Sequence, residues 1–416
     1  MTDARLRHGR SSLALSFFVQ GVAFALLVTR IPAIQDRYGI SDGLLPLFLA
    51  AVPVLAGAGS VATGKLVTRR SPVVVLRWSQ PVVLLSLLAV GAGSRVWQVA
   101  LALGVFGLAV GALDASMNML GVSLQQAYGR SIMLGFHATY SLGGILGASL
   151  AWAGAHWDLP LVISYLPVVL VLLPAALLGS RCYVDAVDPS SAKGADGPGG
   201  GAAMGSAVPF TLLLPLCLVM AFAYIGDSTV SNWSAKYLQD VLGSSEELAT
   251  VPYNAYMVTT LLGRAVGDLG VRRFGAVPVV RCGTALAAGG FAVVALAPGP
   301  WTGLAGFTLL GLGLCVIVPQ TFAAAGRRAV VNGGPGASNA AVARLNVFNY
   351  VGFLIGAPLV GGLGDAWSYR GAMLVPMVLV LVTLLYARSF EPESDRYGVD
   401  HERPRTVDVG RSGNEV

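Results

Sequence analysis

Twelve apolar runs dominate this sequence of 416 residues. An α-helix needs about 20 residues to cross a bilayer, and each run approaches or reaches that length. Only 12% of the residues are charged, which is about half the share found in a soluble globular domain. We therefore predict an all-α polytopic membrane protein with twelve transmembrane helices. The predicted spans are residues 11–31, 44–64, 73–93, 98–120, 134–155, 160–179, 210–230, 247–267, 277–297, 302–322, 341–363 and 372–388.

The basic residues indicate a membrane topology and not a nucleic-acid partner. The net charge is +6, but the Lys and Arg side chains are divided among short loops and tails. With a cytoplasmic N-terminus, 18 of the 27 basic residues lie on that side, if Arg388 at the end of the last span is included, and four (Arg37, Arg95, Lys236 and Arg370) lie on the other. Because positive charge concentrates in cytoplasmic loops, we expect a lipid bilayer as partner, the cell inner (plasma) membrane as location, and both termini in the cytoplasm.

Two polar segments divide the chain. Residues 180–209 are rich in Gly, Ala, Ser and Pro and show no apolar periodicity, which is typical of a flexible linker. Residues 389–416 are charged and poor in apolar side chains, which predicts a disordered cytoplasmic tail. These segments would separate an N-terminal six-helix bundle, residues 1–179, from a C-terminal six-helix bundle, residues 210–388.

An internal repeat supports this division. The loop after the second span is GKLVTRRSP, from Gly64 to Pro72, and the loop after the eighth is GDLGVRRFG, from Gly267 to Gly275. Gly, Leu and an Arg-Arg pair recur at the same offsets. Since each half has an even number of spans, the halves would lie parallel, related by an axis along the membrane normal.

These loops resemble the signature G-x-L-x-D-R-x-G-R-R of the major facilitator superfamily. Thr68 stands where the family has Asp, which removes the acid from the first copy. The resemblance implies two six-helix bundles (the major facilitator fold) and contacts that close the cytoplasmic side. It assigns that closing role to Gly64, Arg69, Arg70, Gly263, Arg264, Gly267, Asp268, Arg272 and Arg273.

Further segments are similar to the fucose-permease-like branch of the superfamily: TRIPAIQDRYGIS, DASMN, MLGFHATYSLGG and SNWSAKYL. The drug/proton antiporter branch usually has an Arg in span 4 and a Gly-Pro motif in span 5. Here span 4 carries Asp114, and span 5 has glycines without Pro. In the superfamily, spans 5 and 8, and spans 2 and 11, meet between the halves.

Asp114 is the first candidate for a proton-coupling group. A carboxylate within a membrane helix is costly and usually faces a water-accessible path, and burial disfavours its charged form. Asn118 lies one turn later on the same helix face. The alternative is a fixed structural contact between helices, for example with an Asn or an Arg. His137 is the second proton-coupling candidate because an imidazole suits proton relay; its alternative is a neutral ring bonded to Asn118 or to a backbone carbonyl.

Two further groups of polar residues complete the predicted site. Arg30 and Asp227 lie near the outer ends of spans 1 and 7, where they could form an outer gate as an ion pair or reach the interface independently. Amides and tyrosines within spans suit a cavity for a neutral or zwitterionic polar solute, although single amides often join helices. The predicted cavity residues are Gln20, Gln80, Asn118, Tyr140, Asn254, Tyr256, Asn346, Asn349 and Tyr350.

The sequence therefore predicts a secondary active transporter that moves a small polar organic solute with protons by alternating access. Proton-coupled efflux of a drug or secondary metabolite is the alternative, and a transporter-like receptor is a third. The sequence shows no phosphate-binding G-x-x-x-x-G-K-[ST] motif and no Cys or His pair at a metal-ligand spacing. We expect no enzymatic activity, no cofactor or metal, and a monomer whose partners are its small-molecule substrate and protons.

Overall fold

Helices occupy all twelve predicted spans in the computed structural model, which describes residues 4–41, 44–185, 208–249, 251–334 and 336–391. No strand occurs among these described residues. We number the spanning helices α1–α12. They are α1 (Ala4–Thr29), α2 (Leu45–Leu66), α3 (Pro72–Ala92), α4 (Val96–Tyr128), α5 (Met133–His156), α6 (Leu161–Gly179), α7 (Phe210–Lys236), α8 (Val251–Phe274), α9 (Ala276–Leu296), α10 (Pro300–Gly333), α11 (Ala337–Ala366) and α12 (Leu374–Val382).

Nine helices in the described part of the chain are long and apolar enough to cross a membrane by themselves. The exceptions among the twelve are α5, α8 and α12. Helices α5 and α8 have the required length but carry polar side chains such as His137, Asn254 and Arg264. These two helices pack against each other. Their lower hydropathy therefore reflects a protein-facing position.

Prolines interrupt two of the helices. In α10 the regular helix stops at Leu314 and resumes at Ile317, just before Pro319. A proline cannot donate to the carbonyl four residues earlier and clashes with it, so the break falls where Pro319 would contact Cys315. Pro376 acts in the same way, and the short helix Tyr369–Ala372 is separated from α12 at Met373.

Glycines bring equivalent helices of each half together. We call α1–α6 the first half and α7–α12 the second half. Helix α5 packs on α1, and α11 packs on α7. Gly143 lies directly against the backbone of Phe18, and Gly352 lies directly against the backbone of Ala221. The fifth helix of each half thus packs on the first in the same way, which agrees with the internal repeat.

Gly143→Ala is expected to destabilise the protein by about 1–3 kcal/mol, because an added Cβ would overlap the Phe18 carbonyl oxygen and force α1 and α5 apart. Thermal unfolding of the purified protein measures this loss. Gly289→Ala is the matched control, since nothing lies within 4 Å of its Cβ position. Equal melting temperatures for the two variants would contradict close α1–α5 packing.

The two halves meet through two equivalent helix pairs, α5 with α8 and α2 with α11, as the family resemblance predicts. Gly267 of α8 lies directly against Leu134 of α5. In the other pair, a Cβ at Gly64 would lie 2.9 Å from the Cβ of Ala343 on α11. Both glycines come from the repeated loops, so small residues permit close approach of the halves at this end of the molecule.

The predicted linker and tail both begin with packed residues. Ser180–Cys182 forms a 3-10 helix, and the Tyr183 hydroxyl donates to Gln80 Oε1 at 2.7 Å. Burial raises the pKa of Tyr183 to about 12, so it remains a neutral donor. Phe390, within the predicted tail, is fully buried. Residues 186–207 and 392–416 lie outside the described residues, so the structure does not test most of either segment.

Four of the six exposed tryptophans lie at the face of the molecule opposite to the chain termini, at or next to ends of α4, α5, α10 and α11. They are Trp97, Trp157, Trp301 and Trp367, whereas Trp78 and Trp152 lie within α3 and α5. Tryptophan is enriched at membrane–water interfaces. We call this end the opposite face, and we call the end where α1 starts and α6 ends the terminal face.

Candidate functional site

A cavity of about 1050 Å³ lies between the two halves. Its lining begins at residues near the opposite face, such as Thr29, Phe48 and Asn232, and continues inward. Toward the terminal face it reaches as far as His137 and Arg264. The cavity is therefore open to the opposite face and closed toward the terminal face.

The lining combines aromatic side chains with a few charged ones. The charged residues are Asp114, Asp227 and Arg264. The aromatic rings come from both halves: Phe17, Phe24, Phe48, Tyr140, Trp152, Tyr224, Tyr253, Tyr256, Tyr350 and Phe353. Such a lining suits an organic solute with an apolar body and one or more polar groups, because ligand sites are largely apolar with few directing polar groups.

Asp114 lies near the middle of α4 and joins the two halves. Tyr350 on α11 donates to Asp114 Oδ2 at 3.1 Å, and Asn349 donates to the same oxygen at 3.3 Å. Asn118 donates to Oδ1 at 3.1 Å. Helix α4 continues to Tyr128, so Asp114 lies near the middle of the whole helix.

The predicted structural alternative for Asp114 is present, but it accounts for only part of the contacts. Asn349 of α11 supplies the expected contact between helices, while Tyr350 of α11 and Asn118 of α4 supply the other donors. Gln20 and Asn346 also direct their amides toward this carboxylate. A partly buried carboxylate that lines a cavity and receives donors from the other half is a group whose charge influences how the halves fit together.

His137 is not bonded to Asn118, whose side chain amide donates to Asp114. Its ring lies between Phe17, at a centroid distance of 5.3 Å, and Phe322, at 6.3 Å. Nε2 is buried and has no hydrogen-bond partner among the described residues. The ring thus lies at the floor of the cavity, in an aromatic setting, and its own backbone carbonyl accepts from Arg264 at 3.5 Å.

The structure does not bring Arg30 and Asp227 together. Arg30 is buried and donates to two carbonyl groups of the first half, Ala151 O at 3.3 Å and Leu159 O at 3.1 Å. Asp227 lines the cavity, and its Oδ1 accepts from the Tyr256 hydroxyl at 2.5 Å. The outer-gate pair and its alternative, in which each residue reaches the interface independently, both remain predictions.

Six of the nine predicted cavity residues line the cavity: Gln20, Tyr140, Asn254, Tyr256, Asn349 and Tyr350. The other three are buried between helices. Gln80 accepts from Ser16 at 3.2 Å and from Tyr183. Asn118 and Asn346 are buried and bond to Asp114 without lining the cavity. Sequence reasoning missed Tyr224 and Tyr253, and their only available signal was their spacing from Asp227 and Tyr256 on the same helices.

The second copy of the repeated loop closes the terminal face. Asp268 of α8 accepts from Ser131 Oγ at 2.5 Å and from the backbone N–H of Gly135 at 2.9 Å. Arg272 donates to Ser131 O at 2.6 and 3.0 Å. Gln320 donates to Ser131 Oγ at 3.4 Å. Two helices of the second half, α8 and α10, therefore bind the loop before α5 and the first turn of α5.

Arg264 differs from its predicted place in a closing loop. It lies within α8, lines the cavity, and donates from Nη1 to Ser141 Oγ on α5 at 2.7 Å. It therefore joins the halves at the cavity floor. Gly263, also predicted for the loop, packs instead against Cys315 of α10.

Among the described residues, the first copy of the loop makes no hydrogen bond to the second half. Thr68 donates to Lys65 O within its own turn, and Arg69 and Arg70 are exposed. Arg273 of the second copy likewise lies over Phe274, at 5.4 Å from the ring centroid. The polar closing contacts are thus carried by Asp268 and Arg272.

Two six-helix halves surround a central cavity that is closed at one face, and this architecture is that of a polytopic membrane transporter. The family model described as Major Facilitator Superfamily matches residues 13–334 and 216–409. The chain belongs to the Major Facilitator Superfamily, which confirms the predicted all-α fold of twelve transmembrane helices in two bundles.

Relatives and solved structures agree with this assignment. An uncharacterized MFS-type transporter of Yersinia pestis is 28% identical over 383 residues, covering 91% of this chain and 94% of that protein. The crystal structure of the E. coli fucose:proton symporter FucP has a TM-score of 0.69 at 16% identity, covering 92% of this chain and 98% of that one. The human organic anion transporter MFSD10 has a TM-score of 0.73 at 14% identity, covering 92% and 100%. The likeness of fold to FucP agrees with the predicted resemblance to the fucose-permease-like branch.

Proposed function

We propose that this protein is a secondary active transporter that moves a small organic solute across the inner membrane by alternating access, coupled to protons. The observation that carries the proposal is Asp114. It is a carboxylate on α4 that lines the cavity and accepts hydrogen bonds from Asn349 and Tyr350 on α11 of the other half. A proton bound there would change the contact between the halves.

Protonation would make Asp114 a weaker hydrogen-bond acceptor. Hydrogen bonds to a charged group are worth about 1.5–3 kcal/mol, against about 1 kcal/mol for neutral pairs. Protonation of Asp114 removes the charge that Asn349 and Tyr350 face, so it weakens the α4–α11 contact. We expect the neutral form to favour separation of the halves at the terminal face, which exposes the cavity on that side.

The domain division and orientation follow from the same proposal. The moving units would be residues 1–179 and 210–388, joined by the linker 180–209 and followed by the tail 389–416. The terminal face would be cytoplasmic, because the basic loop residues concentrate there. The present form would then be open to the outside.

Proton-coupled efflux is the second candidate, and the aromatic lining favours it. Ten rings around one cavity provide apolar surface that suits a drug-like or secondary-metabolite solute better than a sugar. Both candidates use Asp114 in the same way and differ in the direction of solute movement.

Asp114→Asn is expected to shift the protein toward forms open at the terminal face, because the amide mimics the neutral acid. Spin labels at Arg70→Cys and Arg273→Cys, in a variant without the four native cysteines, report the separation of the halves. Both label sites are exposed. Acidification should lengthen the label distance in the parent protein and leave the Asp114→Asn distance unchanged.

Asp365→Asn is the matched control for this measurement. Its carboxylate is exposed near the opposite face and accepts from Tyr369 in the next helix. Its label distances should respond to acid as the parent protein does. An acid response that persists in Asp114→Asn would assign the proton to another group and overturn the proposed coupling role.

A further inference from the structure

Asp227 presents a carboxylate oxygen to the cavity that no described protein group uses. Its Oδ1 accepts from Tyr256, and no hydrogen bond or ion pair to Oδ2 is formed among the described residues. Asp114, in contrast, already receives three side-chain donors. Lys236 and Asp240 form an ion pair away from the cavity. Among the described residues Asp227 therefore has no cation in direct contact, and Arg264 influences its charge only through space.

Aromatic rings surround this carboxylate. Tyr253 and Tyr256 lie on α8 with ring centroids 6.3 Å apart and an interplanar angle of 26°. Tyr224 precedes Asp227 by one turn on α7, and residues at that spacing share a helix face. All three tyrosines line the cavity. Ring faces beside a carboxylate are the chemistry by which proteins bind ammonium groups.

The charge balance of the cavity favours a positive solute. The described lining carries two carboxylates, Asp114 and Asp227, and one guanidinium, Arg264. Arg264 is held at the floor by Ser141 on α5, so it serves the contact between the halves. With both carboxylates ionised, the formal charge of the lining is therefore negative by one. Buried charges are stable only when they are paired.

We propose that the cavity binds an organic cation, whose ammonium group lies against Asp227 Oδ2 and the rings of Tyr253 and Tyr256. The apolar body of the solute would contact the remaining aromatic lining, which includes Phe24, Trp152 and Phe353. This inference rests on the proposed transport function and names its substrate class.

Equilibrium binding to the purified full-length protein tests the inference with a charged probe and its uncharged or anionic analogues. The probes are benzyltrimethylammonium, neopentylbenzene, which replaces the nitrogen by carbon, and benzylsulfonate. Isothermal titration should detect binding of benzyltrimethylammonium and no binding of the other two probes. Asp227→Asn should weaken that binding at least about tenfold, which corresponds to 1.4 kcal/mol.

Two further variants separate a binding role from a folding defect. Tyr253→Phe keeps the ring and should bind the cation as the parent protein does, whereas Tyr253→Leu should weaken binding severalfold. Melting temperatures of all variants establish that they are folded. Asp365→Asn, with its carboxylate outside the cavity, should leave binding unchanged.

Several outcomes would overturn the inference. The first is that Asp227→Asn binds the cation as tightly as the parent protein does. The second is that neopentylbenzene or benzylsulfonate binds more tightly than the cation, and the third is that the folded parent protein does not bind the cation. The response of the spin-label distance to acid, which tests the role of Asp114, requires no solute. If that response is present while the cation fails to bind, the transport function stands and only the substrate class is wrong.

Discussion

Asp114→Asn should abolish the accumulation of solute against its gradient while preserving exchange of solute between the two sides of the membrane. One proton crossing ~150 mV supplies roughly 3.5 kcal/mol. That energy sustains a solute gradient of a few hundredfold, since 1.4 kcal/mol corresponds to a factor of ten. Without a proton site, the ratio of the solute concentrations on the two sides should fall to one. Exchange persists because the cavity and the movement of the halves do not require net proton transfer.

Liposomes that contain the purified protein provide the measurement. A labelled solute that binds the protein is followed under an imposed pH gradient, for net accumulation, and without a gradient, for exchange. Asp365→Asn controls for the loss of a carboxylate elsewhere and should accumulate solute normally. Normal accumulation by Asp114→Asn would contradict the coupling role, and loss of exchange as well would indicate a binding or folding role.

The sequence predicted the helices well because a membrane span must satisfy its own backbone hydrogen bonds. Apolar length therefore identified each span, even where the helix ends were wrong. Helix α4 extends beyond its predicted end at residue 120 to Tyr128, since helices continue past the apolar run into the interface. The interruption near Pro319 in α10 was predictable in principle from the proline itself.

The cavity was predicted less well, because the inward face of each helix is hard to identify. Membrane helices are apolar on both their lipid-facing and protein-facing sides, so polarity does not fix their rotation. Gln80 and Asn349 are both amides in spans, yet Gln80 bonds to Tyr183 while Asn349 faces Asp114. The partners of Arg30 are backbone carbonyls, and no side-chain pattern in the sequence marks a carbonyl acceptor.

The repeated loops show how a similar motif can carry different contacts. The absence of an acid at position 68 predicted a weaker role for the first copy. In the structure Thr68 bonds only within its own turn, while Asp268 accepts from two groups of the first half. The polar part of the closure at the terminal face is therefore asymmetric. Asp268 is the carboxylate among these contacts, so removal of its charge should have a large effect.

Asp268→Asn should increase the population open at the terminal face by about tenfold to a hundredfold, since bonds to a charged group are worth about 1.5–3 kcal/mol. Asp268 is buried and accepts from Ser131 Oγ and the Gly135 N–H. The amide loses the charge and can offer only one acceptor oxygen. The labels at positions 70 and 273 measure the shift.

Thr68→Ala is the control at the corresponding loop of the first half and should leave the label distances unchanged. An unchanged distance distribution in Asp268→Asn would mean that apolar packing of Gly267 on Leu134, and not the carboxylate, holds the face closed. The double variant with Asp114→Asn extends the argument. Asp114 contacts α11 and Asp268 contacts the loop before α5, so the two sites share no partner. Their effects on the free energy of opening should add, as for independent sites, if one opening movement breaks both contacts.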